Sequence, residues 1–234
     1  MAGADFHYAP APDDPRPLGQ RVRDAGHHLH RPTIGGTPMP DIGLYQTKYA
    51  LRRWIDRIPG VRRLSPNAVS VSSLVPSALA AGALWAGWWP LVVIGIAGRM
   101  ALTVMDGLIA EAYGKKTRIG PYVNRLPQEI GDAALLLALF RWADPTWVAL
   151  LLASAWLVNV LAVLPTVAGG SPQPVGPAGQ PDRIAIVMVA AIVATVAPPD
   201  WTSLWTLVCA LLVLLSIPTA LLRIGRTVRE LGAA

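Results

Sequence analysis

Hydrophobic positions gather in the last 170 or so residues of the chain as six nearly continuous runs separated by short polar turns. The runs cover about 67–86, 89–111, 121–141, 146–167, 183–198 and 201–222. A helix needs about 20 mostly apolar residues to cross some 30 Å of hydrocarbon, and these runs approach or meet that length. The pattern therefore predicts an all-α integral membrane bundle of six transmembrane helices. Ser65-Pro66-Asn67 supplies an opening for the first, because Ser or Asn can cap a helix and Pro suits its first turn.

Upstream the pattern is different. Residues 1–42 are rich in Pro, Gly, Asp and Arg and read as a disordered cytoplasmic tail. His27, His28 and His30 lie in that tract without acids or Cys at metal-binding spacing, and they are assigned no role. Residues 43–64 set Leu44, Tyr45, Tyr49, Trp54, Ile55 and Ile58 against Lys48, Arg52, Arg53, Arg57, Arg62 and Arg63. That alternation predicts an amphipathic juxtamembrane helix, either in the membrane interface or docked on the bundle. The six-helix domain then occupies 65–234.

Composition supports a membrane rather than a soluble core, with 53% hydrophobic and 15% charged residues. The net charge of +6 could suggest nucleic acid, but the basic residues flank the spans. Eighteen of the twenty Lys and Arg fall on the side of the amino terminus, leaving Arg99 within a span and Arg141 at an outer turn. Seven of the nine Trp mark the opposite interface, which predicts both termini in the cytoplasm of a bacterial membrane. No cleaved signal peptide is expected, because the first forty residues hold no apolar core. Cys209 is the single cysteine, so no intrachain disulfide can form.

Polar residues inside spans are costly and mark function or pairing. In the second span Arg99, Thr103 and Asp106 share one helical stripe, and in the third Asn124, Gln128 and Asp132 share another. Two facing stripes of oxygen ligands near the cytoplasmic ends suit divalent cations held against a pyrophosphate. Arg99 has two readings, as a partner for Asp106 or Asp132 and as fixed positive charge where a metal would sit. Asn159 is expected to bond across helices or touch a ligand. Glu230 with Arg223, Arg226 and Arg229 reads as a solvated helix end, and Pro76, Pro165 and Pro218 mark bends or ends.

The arrangement resembles the CDP-alcohol phosphotransferase family. Its signature is Asp-x2-Asp-Gly-x2-Ala-Arg followed, after about eight residues, by Gly-x3-Asp-x3-Asp. Here Thr103-x2-Asp106-Gly107-x2-Ala110-Glu111 and Gly120-x3-Asn124-x3-Gln128 fall in that register. Ser65-Pro66-Asn67-x2-Ser70 is similar to the family's Thr-Pro-Asn-x2-Thr opening. Gly176-Pro177-Ala178-Gly179-Gln180-Pro181-Asp182-Arg183 is similar to a Gly-Pro-x-Gly-Lys-x-Asp-Arg segment of some bacterial members. The resemblance implies transfer of a phosphate-linked moiety from a CDP-linked lipid or alcohol to an acceptor hydroxyl, with release of CMP and with Mg2+ or Mn2+ as cofactor. It implies metal ligation by Asp106 and Asn124, close approach of the nucleotide at Gly107, Ala110 and Glu111, tight packing at Gly120, and acceptor or phosphate contact at Arg183. Gln128 stands at the position of the proposed general base. A homodimer, or a heteromer with a related protein, is the expected assembly.

Five departures share a direction. Thr103, Asn124 and Gln128 replace acids, Glu111 replaces an Arg and Gln180 replaces a Lys. Neutral amides hold Mg2+ poorly without carboxylates or substrate phosphates, and they accept no proton near neutral pH. A shifted site using Asp106, Asp132 and Glu111 would restore charge, with Asp132 then a metal ligand and catalytic acid. Two functions follow, a phosphotransferase of phospholipid biosynthesis with an altered metal site and a noncatalytic relative that binds CDP-lipid or scaffolds a partner enzyme. A transporter or channel is a third reading, carried by Arg99 and Asp106.

Overall fold

The computed structural model describes residues 60–232, apart from residue 118 and residues 197–199, together with a short upstream pairing. In that pairing β1 (Thr33–Ile34) runs antiparallel to β2 (Thr37–Pro38). The expected tail, apart from that pairing, and most of the expected juxtamembrane helix lie outside the described residues. Only the end of that helix is described, as a single 3-10 turn over Val61–Arg63.

All the long helices belong to one compact unit, Ala50–Ala234. They are α1 (Pro66–Ser72), α2 (Leu74–Ala86), α3 (Trp89–Ala112), α4 (Gly120–Ala138), α5 (Pro145–Val163), α6 (Gln180–Val196) and α7 (Trp201–Gly232). The first predicted span is thus an interrupted rod, α1 followed by α2. A ladder of hydroxyls surrounds the break, with Ser73 Oγ donating to Ser70 O at 2.6 Å and Ser77 Oγ to Ser73 O at 2.7 Å. Such bonds to the preceding turn satisfy the hydroxyls and bend helices.

Helix ends follow the sequence. Gly87, with φ +77°, takes the left-handed conformation that closes α2, and the next N–H, of Trp88, reaches back to Ala83 O at 2.8 Å. Asp144 caps α5 by accepting from Thr146 N at 2.9 Å, and Pro145 occupies the first turn. Asp200 caps α7 in the same way, through Thr202 N at 3.2 Å and the Ser203 hydroxyl at 2.5 Å.

Among the described residues four stretches are long and apolar enough to cross a membrane, namely Pro66–Ala86, Trp89–Ala112, Pro145–Ala168 and Trp201–Gly232. The first half of α4 is too polar to join them, carrying Asn124, Arg125, Gln128 and Glu129, and α6 has only 17 residues. Apart from the β1–β2 pairing, the described residues form an all-helical membrane protein of six helical rods.

The core lies toward the end bearing the Trp residues, around Leu84, Val92, Ile96, Leu139, Val148 and Leu151. The Trp89 ring stacks 4.9 Å from Trp201 and 5.2 Å from Trp142, while Trp142 donates its indole N–H to Leu84 O at 2.6 Å. Three rods are tied together there. Cys209 is packed inside this core rather than facing lipid.

Small residues let the first rod lie against two others at once. A Cβ on Gly95 of α3 would sit 2.9 Å from Ala80 Cβ, and one on Gly131 of α4 would sit 2.6 Å from Ser77 Oγ. Close backbone approach through small residues is how membrane helices pack without a hydrophobic drive. By contrast α3 and α4 stand apart at the backbone and are bridged by side chains. Gly131→Ala is therefore expected to force α2 from α4 and cost about 1–3 kcal/mol by overpacking. Thermal unfolding in detergent checks this, and an unchanged midpoint would show that the crossing can yield.

Candidate functional site

The bridge between α3 and α4 begins at Asp106, buried on α3 one turn from the half-buried Thr103. The Ser70 hydroxyl of α1 donates to Asp106 Oδ2, and Asn124 Nδ2 approaches Oδ1 at 3.4 Å. Gln128 donates its amide to Asn124 Oδ1. Asp106, Asn124 and Gln128 therefore make one ladder of oxygen-bearing groups across two helices, with a single charge. Ser70 was legible in the Ser-Pro-Asn-x2-Ser opening, but its bond to Asp106 needs the fold.

A second polar layer lies deeper. Arg99 pairs with Asp132 and donates Nη2–H to Gln128 O at 3.0 Å. Arg183 of α6 lies 3.7 Å from the same carboxylate. All three are buried, with Arg99 5%, Asp132 3% and Arg183 1% exposed. Arg99 thus takes Asp132, not Asp106, as its partner. Arg183 also donates to Ala178 O at 2.9 Å and to Asn159 Oδ1 at 3.1 Å, and Asn159 donates to Glu129 Oε2 at 2.6 Å. The expected role of Asn159 across helices is what the structure shows. Glu129 in turn pairs with Arg125 at 2.6 Å, where both side chains are partly exposed.

The segment before α6 is held from α7. Ala178 N–H donates to Thr219 Oγ1 at 2.9 Å, and Gly176, with φ +113°, leaves no room for a Cβ, which would come 2.5 Å from Thr219 Cγ2. Arg223 donates to Val175 O at 2.8 Å and to Val158 O. Glu230 accepts from Ser171 N–H at 2.7 Å and from Gln173 Nε2 at 2.6 Å. The solvated helix end holds for the exposed Arg226 and Arg229 and is corrected for Arg223. The helix continues to Gly232 and the 169–179 loop folds back along it, so Arg223 is buried and Glu230 holds the loop. Sequence spacing gave no signal for these contacts, because they link positions about 50 residues apart.

The remaining candidates line the mouth of the ladder. Gly107 is exposed and a Cβ there would meet nothing within 4 Å, so the helix surface is open at that point. Ala110 is half-buried and Glu111 exposed one turn further on. A Cβ on Gly120 would lie 3.1 Å from Thr117 Oγ1 and 3.9 Å from Asn67 Oδ1, which brings the start of α4 against the loop before it and the start of α1. Among the described residues no three His, Cys, Asp or Glu side chains converge as a metal-ligating group, so Asp106, Asp132 and Glu111 do not form one.

Solved structures share this architecture. The crystal structure of Mycobacterium tuberculosis phosphatidylinositol phosphate synthase (PgsA1) with CDP-DAG bound aligns at TM-score 0.63 and 19% identity, covering 78% of this chain and 94% of that one. This chain has the fold of that synthase. The same synthase in complex with manganese and citrate aligns at 0.63 and 19%, covering 77% of this chain and 88% of that one. Its apo form aligns at 0.61 and 20%, covering 76% and 94%. By sequence, no family model and no curated protein matches the chain.

The donor set decides what cation the site can take. One carboxylate, with two amides that present nitrogen toward it along the ladder and would have to turn their oxygens to a cation, fits a single hard cation completed by water and substrate phosphate. Asp132, expected as a further ligand, is engaged here by two guanidinium groups. The hydrogen bond from Ser70 suits Asp106 to ligation, because metal-binding carboxylates are themselves held by outer partners.

Proposed function

We propose that this chain is a CDP-alcohol phosphotransferase-like membrane protein of phospholipid biosynthesis. It takes a CDP-linked lipid or alcohol at the polar face between α3 and α4 and transfers the phosphate-linked moiety to an acceptor hydroxyl, releasing CMP. Six membrane crossings with both termini in the cytoplasm accompany this reading, and they place the Asp106 end of the ladder at the cytoplasmic interface. A homodimer, or a heteromer with a related protein, is the assembly that goes with it.

The observation that carries the reading is Asp106 held by Ser70 beside the open helix surface at Gly107. A nucleotide can approach the backbone there while its pyrophosphate meets the carboxylate's cation. Mg2+ or Mn2+ bound at Asp106, with Asn124 and Gln128 turned to present oxygen, would polarise the phosphoryl oxygens and stabilise the leaving phosphate. Ser70 keeps the carboxylate aimed. Gly107 and Ala110 leave space for the nucleotide, Glu111 lies at its edge, and Gly120 fixes the start of α4 near Asn67. Arg183, the expected contact to the acceptor or its phosphate, is buried and bonded to Ala178 O and Asn159 Oδ1, so it acts by holding the loop before α6 in place.

In the displacement the acceptor oxygen forms the new P–O bond and CMP leaves with the electrons of the bond that breaks. The acceptor's proton passes to water, because Gln128 cannot take it. Phosphoryl transfer draws its rate chiefly from positioning and charge, so a weak base at that position lowers the rate without removing the reaction.

The test is CMP release from CDP-diacylglycerol by the purified full chain, with Mg2+ or Mn2+ and a panel of acceptor alcohols. CMP is expected. None across the panel, while an active phosphatidyltransferase run in parallel releases it, would sink the reading. A second reading, binding without turnover, draws support from Asp132 being committed to Arg99 and from the amide at Gln128. Saturable CDP-lipid binding with no CMP is its signature.

A further inference from the structure

Arg99 sits on the same stripe of α3 as Asp106, two turns away, and is almost wholly buried. Its two partners lie on α4, the Asp132 carboxylate and the Gln128 carbonyl. The passage it takes is open because α4 has no side chain there. A Cβ on Gly131 would come within 3.5 Å of Arg99 Nε and would collide with Ser77.

The two polar layers differ in charge. Around Asp106 the partners are a hydroxyl and an amide, which leaves one uncompensated negative charge. Around Asp132 the two guanidinium groups of Arg99 and Arg183 face the carboxylate and compensate its charge. A divalent ion is drawn to the first layer, whereas the carboxylate of the second is already paired. The first layer is also the one whose remaining groups, Asn124 and Gln128, can turn oxygen toward a cation.

We propose that the site takes one divalent cation, on Asp106, and that Arg99 is a built-in cation standing in for a second, holding Asp132 out of the ligand set and joining α3 to α4. This deepens the proposed reading and rests on a cation being used there. Arg99 in this scheme is a positioning residue, since it acts through Asp132 and the backbone of α4.

The test counts ions rather than turnover. The full chain in lipid nanodiscs, with CDP-diacylglycerol present, is titrated with Mn2+, and free Mn2+ is followed by electron paramagnetic resonance. One ion per chain is expected. Asp106→Asn should weaken it by roughly tenfold or more. The paired variant Arg99→Gln with Asp132→Asn, which removes both charges together, should keep the single ion. Two ions in the unaltered chain, no ion at millimolar Mn2+, or loss of the ion in a folded paired variant would each overturn the proposal. If the paired variant fails to fold, the ion count of the unaltered chain still decides between one cation and two. CMP release measured on the same samples separates the two claims. One ion without CMP leaves the cation count standing and removes the phosphotransferase reading, whereas two ions with CMP do the reverse.

Discussion

Arg99→Met is expected to destabilise the bundle by about 3–5 kcal/mol, the usual cost of removing one partner from a buried ion pair. Met matches much of the apolar stem, so the loss falls on the charge and the hydrogen bonds. Asp132 would be left with Arg183 at 3.7 Å, and the Gln128 carbonyl would lose its guanidinium donor. The double variant Arg99→Met with Asp132→Leu removes the stranded carboxylate as well. Arg183 keeps Ala178 O and Asn159 Oδ1, so the double variant should recover most of the loss. Replacing a buried pair by apolar groups is often close to neutral. The measurement is the thermal midpoint of the full chain in detergent, followed by loss of the monodisperse peak on size exclusion. A single variant as stable as the parent would mean that Asp132 is solvated and that no buried pair joins α3 to α4.

That pair illustrates which parts of the molecule can be read along the chain and which cannot. The six apolar runs match the rods closely, with α3 over Trp89–Ala112 against a predicted 89–111, because length and hydropathy are local properties. Arg99 could be assigned a carboxylate partner by the cost of burying it alone, but both Asp106 and Asp132 were candidates. Only the packing of α2 between α3 and α4, through Gly95 and Gly131, selects Asp132. Ser70 lay within a recognisable opening segment, so its position was legible while its bond to Asp106 was not. The α7 end failed in part, for a different reason. Arg226 and Arg229 are exposed as a solvated terminus requires, but nothing local reveals that the 169–179 loop returns to Arg223 and Glu230. Long-range contacts of loops carry little local signal in a single sequence.

On the proposed function the chemistry concentrates on Asp106, and Asp106→Asn is expected to cut CMP release by about 10²-fold or more. Losing the one carboxylate of the ladder removes several kcal/mol of stabilisation of developing phosphate charge, and each 1.36 kcal/mol is tenfold in rate. Stability should change little, because an Asn oxygen can still accept from Ser70 and its amide can meet Asn124 Oδ1 if Gln128 turns away. Asp132→Asn is the contrasting case. It leaves Arg99 and Arg183 buried side by side without their anion, so its defect should appear in the thermal midpoint before it appears in turnover of the folded fraction. Rates normalised to folded protein, with the midpoint measured on the same preparation, separate the two. Were Asp106→Asn to release CMP at the parental rate, the ladder would have no part in the reaction. The ordering of the two acids follows from their partners, since a carboxylate among neutral donors keeps its charge for a cation, and one between guanidinium groups has already spent it.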